Sequence, residues 1–240
     1  AHFVEIHSAF VENGQIIVNT EDEDIVRIIL NGVDIKCTTS APIYIASAKK
    51  VMIVLVENTL NTITDGTSYV LESGTDEPNA AIFSKSDLTL YGNGSLTVNA
   101  NYQDGITGKD GFIIKSGTVN VTAPDDGIRG KDYLIVREGI ITVTAQGDGL
   151  KSDNAEDAEK GYVSIETGTF NITSGGDAIS AETDVLIRDG SFILSSGGGS
   201  SEWINEALSA KAIKGAVNTI IETGTFMMNS ADDAIHSNGR

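Results

Sequence analysis

The chain has 240 residues, of which 34 are acidic and 16 basic, and this gives a formal net charge of −18 at pH 7. Charge repulsion argues against direct binding to nucleic acid or to an anionic membrane surface. The sequence has no apolar run of about 18 residues, which excludes a membrane-spanning helix, and its single cysteine, Cys37, excludes an internal disulfide.

The first third of the chain, residues 1–79, is the least regular part. Two segments there, 28–35 and 51–56, have the same pattern of short apolar strands and turns as the later blocks. We assign residues 1–79 to irregular N-terminal coils and a cap, and residues 80–240 to regular coils of the same domain. The sequence therefore predicts one domain over residues 1–240.

From residue 80 onward the sequence repeats itself. The first well-defined blocks follow one another at intervals of 22 residues, and later steps lengthen to 29 and 34 residues. The longer steps predict insertions near 153–159 and 197–209. A repeat of this length is typical of stacked coils that contact only their neighbours. The blocks begin at Asp104, Asp126, Asp148, Asp177 and Lys211, after a looser copy that begins at Ala80.

Each block contains short runs of alternating apolar and polar residues, which predict strands rather than helices. Three strands in about 22 residues fit an all-β, right-handed parallel β-helix with three sheets and coils about 4.8 Å apart. This fold requires columns of inward-facing apolar residues. Three columns are present: Ile106, Ile128, Leu150, Ile179, Ile213 and Ile235; Ile114, Val136, Ile165, Ile187 and Ile221; and Val119, Ile141, Phe170, Phe192 and Phe226.

Acidic residues also form a column, at the corner before the first strand of each block. We expect these side chains to face solvent or a metal ion, because carboxylates about 4.8 Å apart repel each other by roughly 1 kcal/mol per pair in water. Such oxygen ligands suit Ca²⁺, while the alternative is that Asp before Gly only forms turns. The predicted metal ligands are Asp104, Asp125, Asp126, Asp148, Asp153, Asp177, Asp232 and Asp233.

Basic and aromatic residues flank the acidic column. Arg129, Lys131 and Lys151 either neutralise the neighbouring acids or recognise a carboxylated or phosphorylated ligand beside bound metal. Tyr133, near the acids, and Trp203, in the second predicted insertion, are candidates for stacking on a sugar ring. For Trp203 the alternative is packing against the solenoid wall.

Several motifs occur in order along the chain: DDGIRGKD at 125–132, EDAEKG at 156–161, GTFNIT at 168–173 and DDAIHSNG at 232–239. Over most of residues 65–240 the sequence resembles the bacterial secreted parallel β-helix family of carbohydrate-binding proteins related to family-nine pectate lyases. The resemblance implies a right-handed β-helix, secreted or at the cell surface of a bacterium. It also implies binding of Ca²⁺, polygalacturonate and cellulose without lyase activity.

The alternative function is that of a calcium-dependent pectate lyase. Such an enzyme removes the proton α to a uronate carboxylate with a Lys or Arg as base, and here Lys151 or Arg129 would serve beside a metal at Asp104, Asp125 and Asp126. A lysine in so acidic a field has its charged form favoured, which makes it a poor base at neutral pH. The chemistry therefore favours a binding protein over an enzyme.

Overall fold

The computed structural model describes residues 2–20, 24–203 and 209–239. These residues form a parallel β-solenoid of about nine coils with about 25 residues per coil, and they contain no helix. Each coil contributes one strand to each of three parallel sheets, named A, B and C in the order in which the chain enters them. The predicted all-β solenoid with three sheets is therefore confirmed.

The strands are numbered β1 to β27 along the chain. Sheet A consists of β1 (His2–His7), β4 (Ile25–Asn31), β7 (Lys50–Leu55), β10 (Asp87–Gly92), β13 (Gly111–Ile114), β16 (Tyr133–Val136), β19 (Tyr162–Ile165), β22 (Asp184–Ile187) and β25 (Asn218–Ile221). Sheet B consists of β2 (Phe10–Val11), β5 (Asp34–Cys37), β8 (Leu60–Asp65), β11 (Ser95–Asn99), β14 (Thr118–Ala123), β17 (Ile140–Ala145), β20 (Thr169–Ser174), β23 (Ser191–Ser196) and β26 (Thr225–Ser230). Sheet C consists of β3 (Ile16–Asn19), β6 (Ile43–Ser47), β9 (Ala80–Ser84), β12 (Asp104–Gly108), β15 (Ile128–Gly130), β18 (Leu150–Ser152), β21 (Ile179–Ala181), β24 (Ile213–Gly215) and β27 (Ile235–Ser237).

The apolar columns predicted from the sequence face the interior of the solenoid. Their members from the middle coils are buried, and Phe170, Phe192 and Phe226 stack with ring centroids 4.7 Å apart. Burial decreases in the last coil, where Ile235 is 47% exposed because the described chain places no further coil on it. The core is thus one continuous column rather than a globular centre, as expected when each coil packs only on its neighbours.

The period of 22 residues holds wherever no insertion interrupts the later coils, including the last step, where Ile213 pairs with Ile235. Ile106 pairs with Ile128, and Ile128 with Leu150, in the register that the repeat predicts. The two predicted insertions fall between β18 and β19 and between β23 and β24, although part of the second, 204–208, lies outside the described residues. A third long connection, residues 66–79 between β8 and β9, was not predicted.

Residues 66–79 cover the outer face of sheet C at its N-terminal end. Tyr69 stacks on Tyr102 with centroids 4.2 Å apart, and Glu77 forms ion pairs with Lys85 at 3.1 Å and Lys109 at 2.7 Å. The outward-facing ring of Phe83 is fully buried there. The cover extends to β12, whose residues are all buried, and the acidic column begins at its first residue, Asp104.

Candidate functional site

The aspartates that begin the repeats lie at the corner where the chain passes from sheet B to sheet C. Asp104 is the first residue of β12, while Asp126 precedes β15 by two residues. Asp104 and Asp177 are 1% exposed and Asp126 is 6% exposed, so of the two predicted alternatives, solvent or a metal ion, solvent is wrong for these three side chains. The prediction that they lie outside the strand is also wrong for Asp104.

The reason for this burial is a ladder of hydrogen bonds from side chain to backbone, which we call the aspartate ladder. The Oδ1 atom of each aspartate accepts the backbone N–H at the same position of the next coil. The donor-to-acceptor distances are 3.2 Å from Asp126 to Asp104, 2.8 Å from Asp148 to Asp126, 2.8 Å from Asp177 to Asp148 and 2.7 Å from Lys211 to Asp177. The ladder thus gives a hydrogen-bond acceptor to backbone N–H groups at the corner that have no partner in the pairing of the strands.

Cations cover the second oxygen of these carboxylates. Lys151 Nζ lies 2.9 Å from Oδ2 of Asp126 and 3.0 Å from Oδ2 of Asp148. Lys214 Nζ lies 3.2 Å from Oδ2 of Asp177. These short distances between partly buried groups are what the neutralising role predicts, and they leave Lys151 little freedom to reach a ligand.

Arg129 bridges Asp104, which begins a repeat, and Asp153, which lies in the first predicted insertion. One of its terminal nitrogens lies 2.6 Å from Asp153 Oδ2, and the other lies 3.6 Å from Asp104 Oδ2. Asp153 therefore joins the ladder's counter-ion network through Arg129. Within the first insertion, Asn154 Oδ1 accepts the backbone N–H groups of Glu156 and Asp157, which is a turn motif and explains that acidic stretch without metal.

The titration behaviour of the ladder follows from burial and charge. Burial, with a further contribution from Asp126, raises the pKa of Asp104 to about 6. Burial alone would lower the pKa of Lys151, but Asp148 and Asp126 raise it above its usual value. Asp153 raises the pKa of Arg129 in the same way, against the effect of burial. Both predicted alternative bases are thus held protonated.

One part of the ladder brings three carboxylates together. Oxygen atoms of Asp104, Asp125 and Asp126 all lie within 4.8 Å of one another, and Asp125 is exposed. Among the described residues the Asp125 side chain has no hydrogen bond or ion pair, so its oxygens are available. The donor set fits a hard, oxygen-seeking cation, and two positive charges compete with it, Arg129 on the Asp104 side and Lys151 on the Asp126 side.

The other predicted metal ligands do not join such a group in the described part of the chain. Asp148 and Asp177 are engaged by the ladder and by lysines. Asp232 pairs with Lys211, and Asp233 Oδ2 lies 3.0 Å from His236 Nδ1. Lys211 was not predicted as a site residue. It stands at the position that holds an aspartate in the preceding coils, and this change of residue type in the sequence could have identified it.

The predicted ligand-binding residues other than Arg129 and Lys151 lie elsewhere. Tyr133 is in sheet A, stacked on Tyr162 with centroids 5.7 Å apart, so it borders the corner between sheets C and A. Lys131 lies at that same corner and accepts a backbone N–H from Asn154 at its carbonyl. Trp203 is 85% exposed, so its side chain does not pack against the solenoid wall.

Comparison with known proteins connects this solenoid to sugar recognition. A family model described as "Carbohydrate-binding domain-containing protein" matches residues 7–240. The chain belongs to this family. A carbohydrate-binding domain-containing protein of Acetivibrio thermocellus is 45% identical over 112 residues, which are 46% of this chain and 39% of that relative. The matched part thus spans well under half of the relative's length.

A solved structure is similar over the whole chain. A polysaccharide lyase-like protein from C. thermocellum, determined as a gadolinium derivative, superposes with a TM-score of 0.75 and 31% identity, covering 100% of this chain and 87% of the other. Within the described residues, the chain has no helix that is both long and apolar enough to cross a membrane.

Proposed function

We propose that this solenoid is a calcium-dependent, non-catalytic binding module for acidic plant cell-wall polysaccharide such as polygalacturonate, acting outside a bacterial cell. The observation that carries the proposal is the group of three carboxylates at Asp104, Asp125 and Asp126 on a chain of a carbohydrate-binding family. The proposed cation would be held by these three residues, and when bound it would bridge them to uronate carboxylates of the ligand.

The residues of the ladder prepare this site before any ligand arrives. Asp104 and Asp126 cannot rotate freely, because each has one oxygen bound to a backbone N–H. Asp125 is exposed and supplies the side that faces solvent. The like charges of three close carboxylates repel, and a cation relieves that repulsion.

The alternative, a pectate lyase, requires a base that can lose its proton. Lys151 lies within 3.0 Å of two carboxylates, and its pKa is raised by Asp148 and Asp126 although burial opposes this. Arg129 is paired with Asp153. These contacts favour binding without catalysis. A second ligand, cellulose, is favoured by the exposure of Trp203, because stacking on a sugar ring requires an accessible aromatic face.

The test is retention of the protein on insoluble polygalacturonate with Ca²⁺ or with EDTA, together with absorbance near 232 nm, where the unsaturated product of β-elimination absorbs. We expect retention with Ca²⁺, much less with EDTA, and no absorbance. Asp125→Asn should lose the calcium-dependent part, while Asp34→Asn, an exposed acid far along the chain, should not. Rising absorbance would instead establish a lyase, and no retention under any condition would overturn the proposal.

The cellulose arm of the proposal is tested separately. Retention on microcrystalline cellulose is compared between the wild type, Trp203→Ala and the matched variant Tyr91→Ala, an aromatic residue of sheet A away from the insertion. We expect Trp203→Ala alone to reduce retention. Equal retention of all three proteins would remove cellulose as a ligand of Trp203.

A further inference from the structure

The cations of the aspartate ladder and those at another corner of the solenoid differ in how tightly they are paired. At the ladder, Arg129, Lys151 and Lys214 each have a carboxylate oxygen within 3.2 Å. At the corner between sheets A and B, Arg137 and Arg188 meet their nearest carboxylates only at 3.7 Å and 3.9 Å. Such long, exposed pairs are weak and easily exchanged for another anion.

These corner cations stand in one column with Lys115. The backbone N–H of Arg137 donates to Ile114 O, and that of Arg188 donates to Ile165 O, both at 2.8 Å. Each bond joins the residue after a sheet A strand to the last residue of the sheet A strand in the preceding coil, so the two arginines occupy equivalent positions. Lys115 is exposed, and it forms no ion pair within 4.0 Å in the described part of the chain. Glu166 occupies the column between the two arginines. The positive charges of Lys115, Arg137 and Arg188 thus lie in a line along the solenoid axis, each in a different coil.

A groove runs beside this column. It consists of two adjacent clefts of about 440 and 700 Å³ that share Glu138 and Thr167 in their walls. Gly117, Gly139 and Gly168 turn the corner with φ values of 116°, 149° and 142° and line the first cleft, where they contribute no side chains. The groove crosses several coils in the axial direction, which suits a linear polymer better than a compact ligand.

The opposite wall of the groove belongs to sheet B and is only weakly polar. Thr118, Ile140 and Thr169 line it, and Ile140 is 53% exposed. An exposed aliphatic group beside hydroxyl groups matches the mixed apolar and hydroxyl surface of a sugar ring. One wall therefore offers cations and the other offers contacts for the ring.

We infer that this groove binds an acidic polysaccharide chain directly, with Lys115, Arg137 and Arg188 as its carboxylate-binding residues. The acids in the groove, Glu138, Glu166 and Asp189, alternate with the cations and accept hydrogen bonds from sugar hydroxyls. The bound chain therefore carries its carboxylates at intervals, with neutral hydroxyl groups between them. The inference rests on the proposed function and adds to it a second, metal-independent contact with the same polymer.

The experiment compares two double variants with the same change of net charge. The arginine pair combines Arg137→Gln and Arg188→Gln, and the lysine pair, which is the control, combines Lys36→Gln and Lys50→Gln. Affinity for soluble polygalacturonate is measured by calorimetry with EDTA and again with Ca²⁺, and equal melting temperatures show that the variants are folded. A fully methyl-esterified polygalacturonate serves as the uncharged probe. We expect the arginine pair to weaken binding in EDTA by about tenfold, which corresponds to about one charge-assisted hydrogen bond.

The outcomes separate this inference from the proposed function. If the wild type binds only with Ca²⁺, or if the arginine pair binds as tightly as the lysine pair, the groove is not a binding site while the calcium-dependent function stands. If the wild type does not bind polygalacturonate with Ca²⁺ or with EDTA, the proposed function fails first. If the esterified polymer binds equally well, recognition does not depend on carboxylates, and the inference is overturned.

Discussion

The Oδ1 atom of Asp126 accepts the backbone N–H of Asp148, which stands one coil further along the solenoid, at 2.8 Å. The carboxylate therefore belongs to the hydrogen-bonding system of the fold as much as to the candidate site. A substitution there changes two coils at once, and this distinguishes it from its exposed neighbour Asp125.

Asp126→Ala is expected to destabilise the metal-free protein by about 2–4 kcal/mol, because a buried N–H loses its acceptor and Lys151 loses one of its two carboxylates. Urea unfolding in EDTA measures the change. The exposed Asp125→Ala should stay within about 0.5 kcal/mol of the wild type. Equal losses in both variants would show that the ladder bond does not stabilise the fold.

Calcium is expected to stabilise the wild type by about 2–3 kcal/mol at a free concentration near 100 times its dissociation constant. Asp125→Asn should reduce this effect without lowering stability in EDTA, because Asp125 has no partner among the described residues. Thermal unfolding with a calcium titration makes the measurement. An unchanged melting temperature of the wild type would leave the three carboxylates as structural groups only.

The buried carboxyl group of Asp65 gives a pH prediction away from the site. Burial raises its pKa above the usual value, although Tyr69 and Asn101 donate hydrogen bonds to it. The folded state therefore binds the proton more tightly than the unfolded state. Its stabilising contribution is complete below the pKa of the unfolded chain and is lost as the pH rises through the folded pKa.

The check on Asp65 is the stability difference between the wild type and Asp65→Asn, measured by urea unfolding from about pH 4 to pH 7. The wild type should lose stability relative to the variant as the pH rises, because the amide cannot ionise. Asp34→Asn is the control, an exposed acid whose substitution should leave the slope unchanged. A difference that is flat across this range would contradict the assignment.

Gly127 gives a packing prediction. A Cβ atom on this glycine would lie 2.3 Å from a methyl group of Val143 and 2.7 Å from the carbonyl oxygen of Gly149. Gly127→Ala should therefore cost about 1–3 kcal/mol or more through overpacking. Gly108→Ala is the matched control in the same sheet, since its Cβ would meet only ordinary contacts beginning at 3.5 Å. Equal stabilities of the two variants would contradict the steric explanation.

The sequence predicted the solenoid because the repeat specifies register directly. The columns through Ile128 and Ile141 required only the interval of 22 residues and the alternation of apolar and polar positions. The long connection 66–79 escaped prediction because no repeat brackets it, and the tyrosine and glutamate that fix it act through contacts with distant coils.

The site was predictable only in part. Clustering of Asp104 with Asp125 and Asp126 followed from the repeat, since coil neighbours become spatial neighbours. Burial of the aspartates did not, because an Asp-Gly pair has the composition of an exposed turn. The contact of Arg129 with Asp153 also had no signal, since it joins residues of two different columns.

The aspartate ladder also bears on how the molecule responds to tension. All sheet hydrogen bonds here run roughly along the solenoid axis, so a pull on its two ends loads every bond between one coil and the next at the same time. The ladder adds one further axial bond at each step from Asp104 to Lys211. If its two ends were pulled apart, the solenoid would therefore yield coil by coil from its ends, and its middle coils would separate last.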